Sequence, residues 1–362
     1  MAELSYYRKP GLVIRRFEHR ANERQIRDLQ RDLRRLGYLS SGIDGDFGSD
    51  TERAVKALQY DLLNNDGAST RGDGRAPVSI LDHNRGRVVA ISGAVDQGLV
   101  ECISDMLDNP DYPTLPYSRD AIRENQTIVS EIAAMASAEV PIPFLLALLV
   151  QESGLKHFHE PKDGDEDAFI NMGLDTNAGE RYIITARSYG VGQYPVYHHP
   201  PRKEEVDRLM LDIGSNIQRA VSKLREKFDY CINGASSGTA ADDRVAEYGR
   251  GPLRLCRYHP GDPRYMRDCQ ACLGKAAVQD IRMGITPFFA GCNHTFQPTQ
   301  YYKALTYRSV PMRKQIGCDW PYAVRRYNGA GVNSYHYQVR VLQQLRNMAM
   351  PELVAEPNAE VA

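Results

Sequence analysis

Leu36-Gly37-Tyr38-Leu39, followed by Ile43-Asp44-Gly45-Asp46-Phe47-Gly48-Ser49-Asp50-Thr51-Glu52, is the stretch on which the fold turns. Upstream of it Ile26, Leu29, Leu33 and Leu36 recur at helical spacing, so residues 25–36 predict an amphipathic helix, and Gly37 stands where that helix needs a left-handed stop. The Asp- and Gly-rich segment predicts a tight turn. Ser49-Asp50-Thr51-Glu52 then fits a capping box ahead of Ala54, Val55, Leu58 and Leu62, which predicts a second helix. Ser92-Gly93-Ala94-Val95-Asp96, leading into Leu99, Val100, Ile103 and Leu107, is a weaker echo of the same turn and helix. Three short helices joined by Asp/Gly turns make a small bundle, with residues 64–87 as a surface loop between the second and third.

Outward from this bundle, residues 109–120 contain Pro110, Pro113 and Pro116 and predict a linker. Helical patterning returns through Ile128, Ile132 and Met135, and again after Pro141 and Pro143 through Leu145, Leu148 and Leu149 to Glu152, with Gly154 as the stop. Further helices are expected over residues 213–228 and 337–348, whereas residues 157–188 and 231–318 read as irregular insertions. The expected class is therefore mainly α: a three-helix module over 20–108, a linker over 109–120, a larger α-rich (α+β) domain over 121–350 with a Cys-rich insertion near 231–318, and a tail over 351–362.

The chain of 362 residues carries 45 Lys and Arg against 46 Asp and Glu, a net charge of −1, which gives no bulk attraction to nucleic acid or anionic lipid. No apolar run approaches the roughly 18 residues of a membrane span, and residues 1–17 lack the apolar core and cleavage site of a secretory signal. The expectation is release or export by another route. No pattern in the sequence sets an oligomeric state.

Glu152 follows Leu145, Leu148 and Leu149 by seven, four and three residues, so a helix places its carboxyl group on the apolar face. Desolvation there favours the protonated form, which is what a general acid needs near neutral pH. Spacing alone equally fits a Glu capped by its neighbours at an exposed helix end. Four blocks in order bear on the choice: Leu145 to Gly154 with its Glu152-Ser153 pair, Ser188-Tyr189-Gly190-Val191-Gly192-Gln193, Asp212 to Ile217, and Arg326-Tyr327-Asn328-Gly329-Ala330-Gly331 followed by Tyr337 to Leu342. Together they resemble the catalytic domain of soluble lytic transglycosylases and goose-type lysozymes. Residues Leu29-Gln30, Leu36 to Leu39, Asp44-Gly45, Phe47-Gly48, Thr51, Ala54-Val55 and Leu58-Gln59 resemble the peptidoglycan-binding domain that accompanies wall hydrolases.

The first resemblance implies a peptidoglycan-cleaving enzyme that acts on glycan strands bearing stem peptides and needs no cofactor. It implies Glu152 as catalytic acid, and Ser153, Tyr189, Gln193, Tyr327 and Asn328 about the saccharide. Arg326 in place of a small residue and Gly192 in place of a bulkier one depart from the family pattern. A lytic transglycosylase needs one carboxyl group and yields a 1,6-anhydromuramoyl end; a hydrolysing muramidase more often uses a second carboxylate. Asp163, Asp165, Glu166, Asp167 and Asp175 are the candidates for that second group, with Asp175, beside Met172-Gly173-Leu174, the least solvent-like. A non-catalytic wall-binding protein is the remaining alternative.

Six of the seven cysteines lie between Cys231 and Cys318. Cys256, Cys269, Cys272 and Cys292, near His259 and His294, suit a structural zinc, while the same cluster suits up to three disulfides or free thiols. His157, His159, His198 and His199 form two pairs that read as loop histidines bonded to solvent or saccharide, with metal binding as the rarer use.

Overall fold

A computed structural model of the chain describes residues 7–19, 21–135, 139–161, 167–233, 256, 258–259, 261–266, 276–282, 297–312, 315–329 and 331–349. These residues are mainly α-helical, with small antiparallel sheets. The chain packs as two compact units, Met1–Thr127 with Lys156–Asn216, and Ile128–Leu155 with Ile217–Ala362.

The first unit begins with the bundle. Helix α1, Glu23–Arg35, is opened by a capping box in which the Asn22 side chain accepts from the Gln25 backbone and the Gln25 side chain accepts from the Asn22 backbone. It closes with the Gly37 N–H on the Arg34 carbonyl and the Tyr38 N–H on the Leu33 carbonyl, the paired bonds of a Schellman end. Helices α2, Ser49–Asn64, and α3, Gln97–Asp108, complete it. Ile26, Leu29, Leu33, Phe47, Val55, Leu58, Leu62, Leu99, Ile103 and Met106 share one buried core. The expected capping box at α2 is not formed: Gly48 is the N-cap and Ser49 already lies inside the helix, so no side chain caps this end. Glu52, which would have closed the box, instead accepts from Lys56 at 2.8 Å.

The Asp/Gly turns are held from within. Gln30, 1 % exposed on α1, donates to Asp44 Oδ1 at 2.7 Å and to the Asp46 carbonyl at 3.0 Å, while its own carbonyl accepts from the Gly45 N–H at 2.8 Å. Gln59, 2 % exposed on α2, repeats this arrangement: it donates to the Ala94 carbonyl at 2.9 Å and accepts from the Gly93 N–H at 2.8 Å. Gly45 and Gly93 have φ of 79° and 71°, a region a side chain seldom adopts. Two residues beyond each Gln an aspartate takes a tyrosine hydroxyl, Tyr7 to Asp32 and Tyr38 to Asp61, both at 2.8 Å. The faint sequence echo is thus a structural repeat.

Residues 109–116, expected as a linker, are tied to the bundle: the Tyr112 hydroxyl donates to the Leu36 carbonyl at 2.9 Å and the Leu115 N–H to the Arg35 carbonyl at 2.8 Å. The rest of this unit is built on two-residue pairs and one meander. Ile14–Arg15 (β1) pairs with Glu18–His19 (β2), and Tyr117–Ser118 (β3) with Ala168–Phe169 (β4). Met172–Thr176 (β5), Ile184–Tyr189 (β6) and Tyr194–Val196 (β7) form an antiparallel three-stranded sheet in sequence order. Residues 157–188 are therefore partly strand rather than irregular. The alternation of Met172 and Leu174 with Gly173 and Asp175 is too short to announce it, and in β6 the pattern is lost at Arg187, Ser188 and Tyr189. A second core gathers Leu115, Phe158, Ile170, Met172, Tyr189, Val196 and Met210 around that sheet. Short helix α4, Ala121–Gln126, also belongs to this unit, as does Lys203–Glu205 (α7) with the π-helical turn Val206–Met210 after it.

In the second unit α5, Ile128–Ala134, precedes α6, Ile142–Ser153. The long helix α8, Ile213–Phe228, carries Ile217, Val221, Leu224 and Phe228 buried along one side. Val278–Arg282 (β8) pairs antiparallel with Thr306–Pro311 (β9), inside the segment expected to be irregular. Helices α9, Trp320–Tyr327, and α10, Val332–Ala349, pack on each other, and α10 also lies against α6 and β9. Trp320, Arg325, Val339, Val341, Leu342 and Leu345 are fully buried there. The Arg325 guanidinium is accommodated by stacking 3.7 Å from the Tyr335 ring and by donating to Ser334 Oγ.

Candidate active site

Helix α6 enters through Pro141 and Pro143, buries Leu145, Leu148 and Leu149, and ends at Gly154 with φ of 65°. Glu152 continues this buried line onto a half-buried position at the helix end. The hydroxyl of Tyr337, on α10, donates to Glu152 Oε1 at 2.6 Å. Burial pushes the Tyr337 phenol well above its ordinary value, and the charge of Glu152 adds to it, so the hydroxyl keeps its proton and remains a donor.

Two more phenols feel the same carboxylate. Tyr327, 7 % exposed at the end of α9, is raised by burial and then by Glu152, against the opposing charge of Arg219. Lys223 Nζ on α8 sits 4.6 Å from the Tyr327 ring centre. Tyr302 is likewise raised by burial and by Glu152, with Arg340 opposing. The Tyr302 ring stacks on His336 at 5.2 Å. His336 is oriented from both sides, its Nε2 2.7 Å from the Gln297 carbonyl and its Nδ1 2.7 Å from the Tyr307 hydroxyl. Since the carbonyl can only accept, Nε2 carries the proton and Nδ1 takes the Tyr307 hydroxyl. The sequence singled out Glu152 and Tyr327 but assigned no role to Tyr302 or to the Tyr337 hydroxyl; Tyr337 stood as the opening of the closing block, Tyr337 to Leu342, and of a predicted helix. Ser153 returns its hydroxyl to the Leu149 carbonyl at 3.1 Å, and Asn328 is exposed just beyond α9.

Tyr189 and Gln193 belong to the first unit, at the turn joining β6 to β7. Tyr189 is completely buried in the second core, and burial pushes its phenol far up. Gln193, with φ of 49°, donates its amide to the Gly190 carbonyl at 2.8 Å and so braces its own turn. At Gly190 an added Cβ would lie 2.6 Å from both His157 Cε1 and Asn216 Nδ2, so glycine is required by close packing. His157 accepts from the Val191 N–H through Nδ1 and bonds the Met210 carbonyl through Nε2 at 2.6 Å. Asn216 accepts from the Gly192 N–H and donates to the Tyr189 carbonyl. Burial lowers the His157 pKa to about 4, so it is a neutral core residue rather than a loop histidine. His199 is a second departure of the same kind, 3 % exposed and 3.1 Å from the Tyr112 hydroxyl. His198 bonds Glu205 at 2.8 Å.

Of the candidate second carboxylates, Asp163, Asp165 and Glu166 lie outside the described residues. Asp167 pairs with Arg31 at 3.2 Å, and Asp175 is exposed on β5. For the zinc candidates, Cys256 is half-buried, and Cys269, Cys272 and Cys292 lie outside the described residues, as does His294. Among the described residues no three His, Cys, Asp or Glu side chains group as metal ligands.

Of the motif residues of the bundle, Phe47 and Thr51 face inward, Gly45 and Gly48 are half-buried and Asp44 is exposed. Asp44 and Gly45 bond Gln30, Phe47 is 2 % exposed, Gly48 caps α2, and Thr51 donates its hydroxyl to the Asp46 carbonyl at 3.1 Å. With that geometry in view, residues 22–62 match the family model described as "Putative peptidoglycan binding domain". The match supports an N-terminal peptidoglycan-binding domain, with peptidoglycan as a partner and the cell wall as the place of action. No curated protein and no solved structure matches the chain. No helix among the described residues is long and apolar enough to cross a membrane.

Proposed function

We propose that the protein is a peptidoglycan lytic transglycosylase whose catalytic acid is Glu152. The observation that carries this reading is the 2.6 Å bond from the Tyr337 hydroxyl to Glu152 Oε1, at the half-buried end of an otherwise buried helix. A surface Glu has no need of a buried phenol to hold it, whereas an acid that must meet one glycosidic oxygen does. With Oε1 accepting from Tyr337, the transferable proton is carried on Oε2. Glu152 gives that proton to the oxygen between N-acetylmuramic acid and N-acetylglucosamine as the bond to the anomeric carbon breaks. The resulting carboxylate, still held by Tyr337, then takes the proton of the muramoyl 6-hydroxyl while its oxygen closes on the anomeric carbon. The products are a glucosamine 4-hydroxyl and a 1,6-anhydro end, Glu152 is protonated again, and no water is consumed. Tyr302 and Tyr327 lie within reach of the Glu152 charge, and the N-terminal domain holds the polymer.

The test is release of soluble fragments from purified peptidoglycan. Wild type should release them and Glu152→Gln should not; equal release by both removes the assignment. Mass spectra of the fragments carry the finer distinction, because anhydro ends support transglycosylation and reducing ends would identify a hydrolysing muramidase.

A further inference from the structure

The largely engaged motif leaves open where the N-terminal domain meets its polymer. Phe47 and Thr51 are 2 % and 3 % exposed, and the exposed Asp44 and half-buried Gly45 are held by Gln30, so the turn serves as scaffold. A concave site lies on the other flank of α2. It encloses about 410 Å³, its open mouth included, between the chain just after α1, one face of α2 and the β5–β6 hairpin. Its floor is short and apolar: Ala54 and Ala57 on α2 leave room that Leu39, Leu174 and Ile184 border. Its rim is charged, with Arg53 and Asp50 on the α2 side and Arg181 on the hairpin side.

We propose that this cavity is the stem-peptide site of the protein, taking a short peptide with small alkyl side chains and a free α-carboxylate. The proposal rests on the peptidoglycan-binding reading of residues 22–62 and names which part of the polymer is held. Charge decides between the polymer's two components. Arg53 is joined to Asp50 at 3.0 Å, which leaves the exposed Arg181 as the uncompensated positive charge of the rim. An uncharged sugar chain has no use for that charge, while a peptide terminus brings a carboxylate to it. The alanine-lined floor suits methyl groups, and the one aromatic residue of the lining, Tyr38, is 1 % exposed with its hydroxyl on Asp61, so it offers no open ring face on which a pyranose could stack. The site is also a joint product of the chain: Arg181, Leu174, Thr176 and Ile184 lie far outside the matched domain, so the β5–β6 hairpin completes the cavity that α2 begins.

The experiment uses the full chain and calorimetric titration with a synthetic stem pentapeptide ending in D-alanyl-D-alanine, its C-terminal amide, and chitotetraose. The acid should bind, the amide should bind at least about tenfold more weakly, and chitotetraose should not compete. Arg181→Ala should lose about tenfold in affinity for the acid and nothing for the amide, and Arg181→Lys should recover part of the loss. Arg181 is exposed, so circular dichroism should be unchanged in both variants. Equal binding of acid and amide, unchanged affinity in Arg181→Ala, or competition by chitotetraose overturns the proposal. Co-sedimentation with insoluble peptidoglycan separates two failures: a chain that sediments but ignores the peptide loses only this site, and one that does neither loses the wall-binding reading as well.

Discussion

Removing one oxygen at Tyr337 separates its chemical contribution from its packing. Phenylalanine keeps the buried ring but takes away the donor 2.6 Å from Glu152 Oε1, a bond whose typical net value rises to about 1.5–3 kcal/mol once the carboxyl group has given up its proton. Tyr337→Phe should lower kcat about 10–100-fold on soluble glycan substrates with little change in KM and no loss of folded structure; an unaltered kcat would mean that Glu152 orients itself unaided. A different residue governs stability at low pH. His157 is neutral in the fold, with its pKa lowered from 6.5 to about 4 mainly by burial. The unfolded chain takes up a proton below about pH 6.5 while the native chain does not, so stability is full above that pH and declines as pH falls toward 4, by up to about 3 kcal/mol from this residue. His157→Gln should start less stable at pH 7.5 and lose less on going to pH 4.5, measured as the difference in urea midpoint between the two pH values. Parallel declines in variant and wild type would show that other groups, His199 among them, account for the slope.

At the scale of elements, the helices were legible and the devices that fix their ends were less so. Ile26, Leu29 and Leu33 announce α1, and its buried face follows their spacing, because a helix needs only a repeating apolar stripe to be seen. The capping box predicted at Ser49 failed because the choice between Gly48 and Ser49 as N-cap depends on backbone geometry that the motif does not encode. The strands β5 to β7 escaped notice because both their edges and their faces mix polar with apolar residues. What sequence periodicity could not show at all is that Gln30 and Gln59 are equivalent. Each is a buried amide whose loss strands a glycine N–H and one or more carbonyl oxygens, at about 1–3 kcal/mol per group. Gln30→Ala and Gln59→Ala should each cost about 2–3 kcal/mol in urea unfolding, whereas Gln97→Ala, at an exposed glutamine on α3, should cost less than about 0.5 kcal/mol. If either buried variant matched the exposed one, the turns would be self-sufficient and the repeat would carry no energetic weight.

Over the whole molecule, Glu152 and Tyr327 were singled out by four short blocks in order, yet the hydrogen-bond partner of the Glu152 carboxyl group came from a helix 185 residues away in sequence. No local pattern marks such a contact. The same holds for the tie between the bundle and the β5–β7 sheet inside the first unit, in which one buried arginine joins Thr70 on the Thr185 carbonyl and Tyr60 against Tyr182. Arg187, on β6, donates its Nε–H to the Gly37 carbonyl at 2.9 Å and approaches Asp61 Oδ2 at 3.4 Å, where the Tyr38 hydroxyl also donates. Asp61 is fully buried and its pKa is raised by that burial, against the opposing pull of Arg187. Arg187→Met would leave this carboxyl group without its counter-charge, and breaking one side of a buried pair typically costs about 3–5 kcal/mol. Asp61→Asn in the same chain should return a large part of the loss, because the remaining group is neutral and can still accept from Tyr38. The pH dependence has a definite sign. A folded pKa above the unfolded one means that stability is greatest below the unfolded value of about 3.8 and falls as pH rises through the folded value. Removing Arg187 raises the folded value further, so the single variant should lose progressively more ground to wild type between pH 4 and pH 7, and the double variant should not. A cost under about 1 kcal/mol for Arg187→Met at pH 7, in urea unfolding of the full chain, would show that apolar packing of Tyr182 and Ile184 against the bundle holds the sheet without help from the arginine.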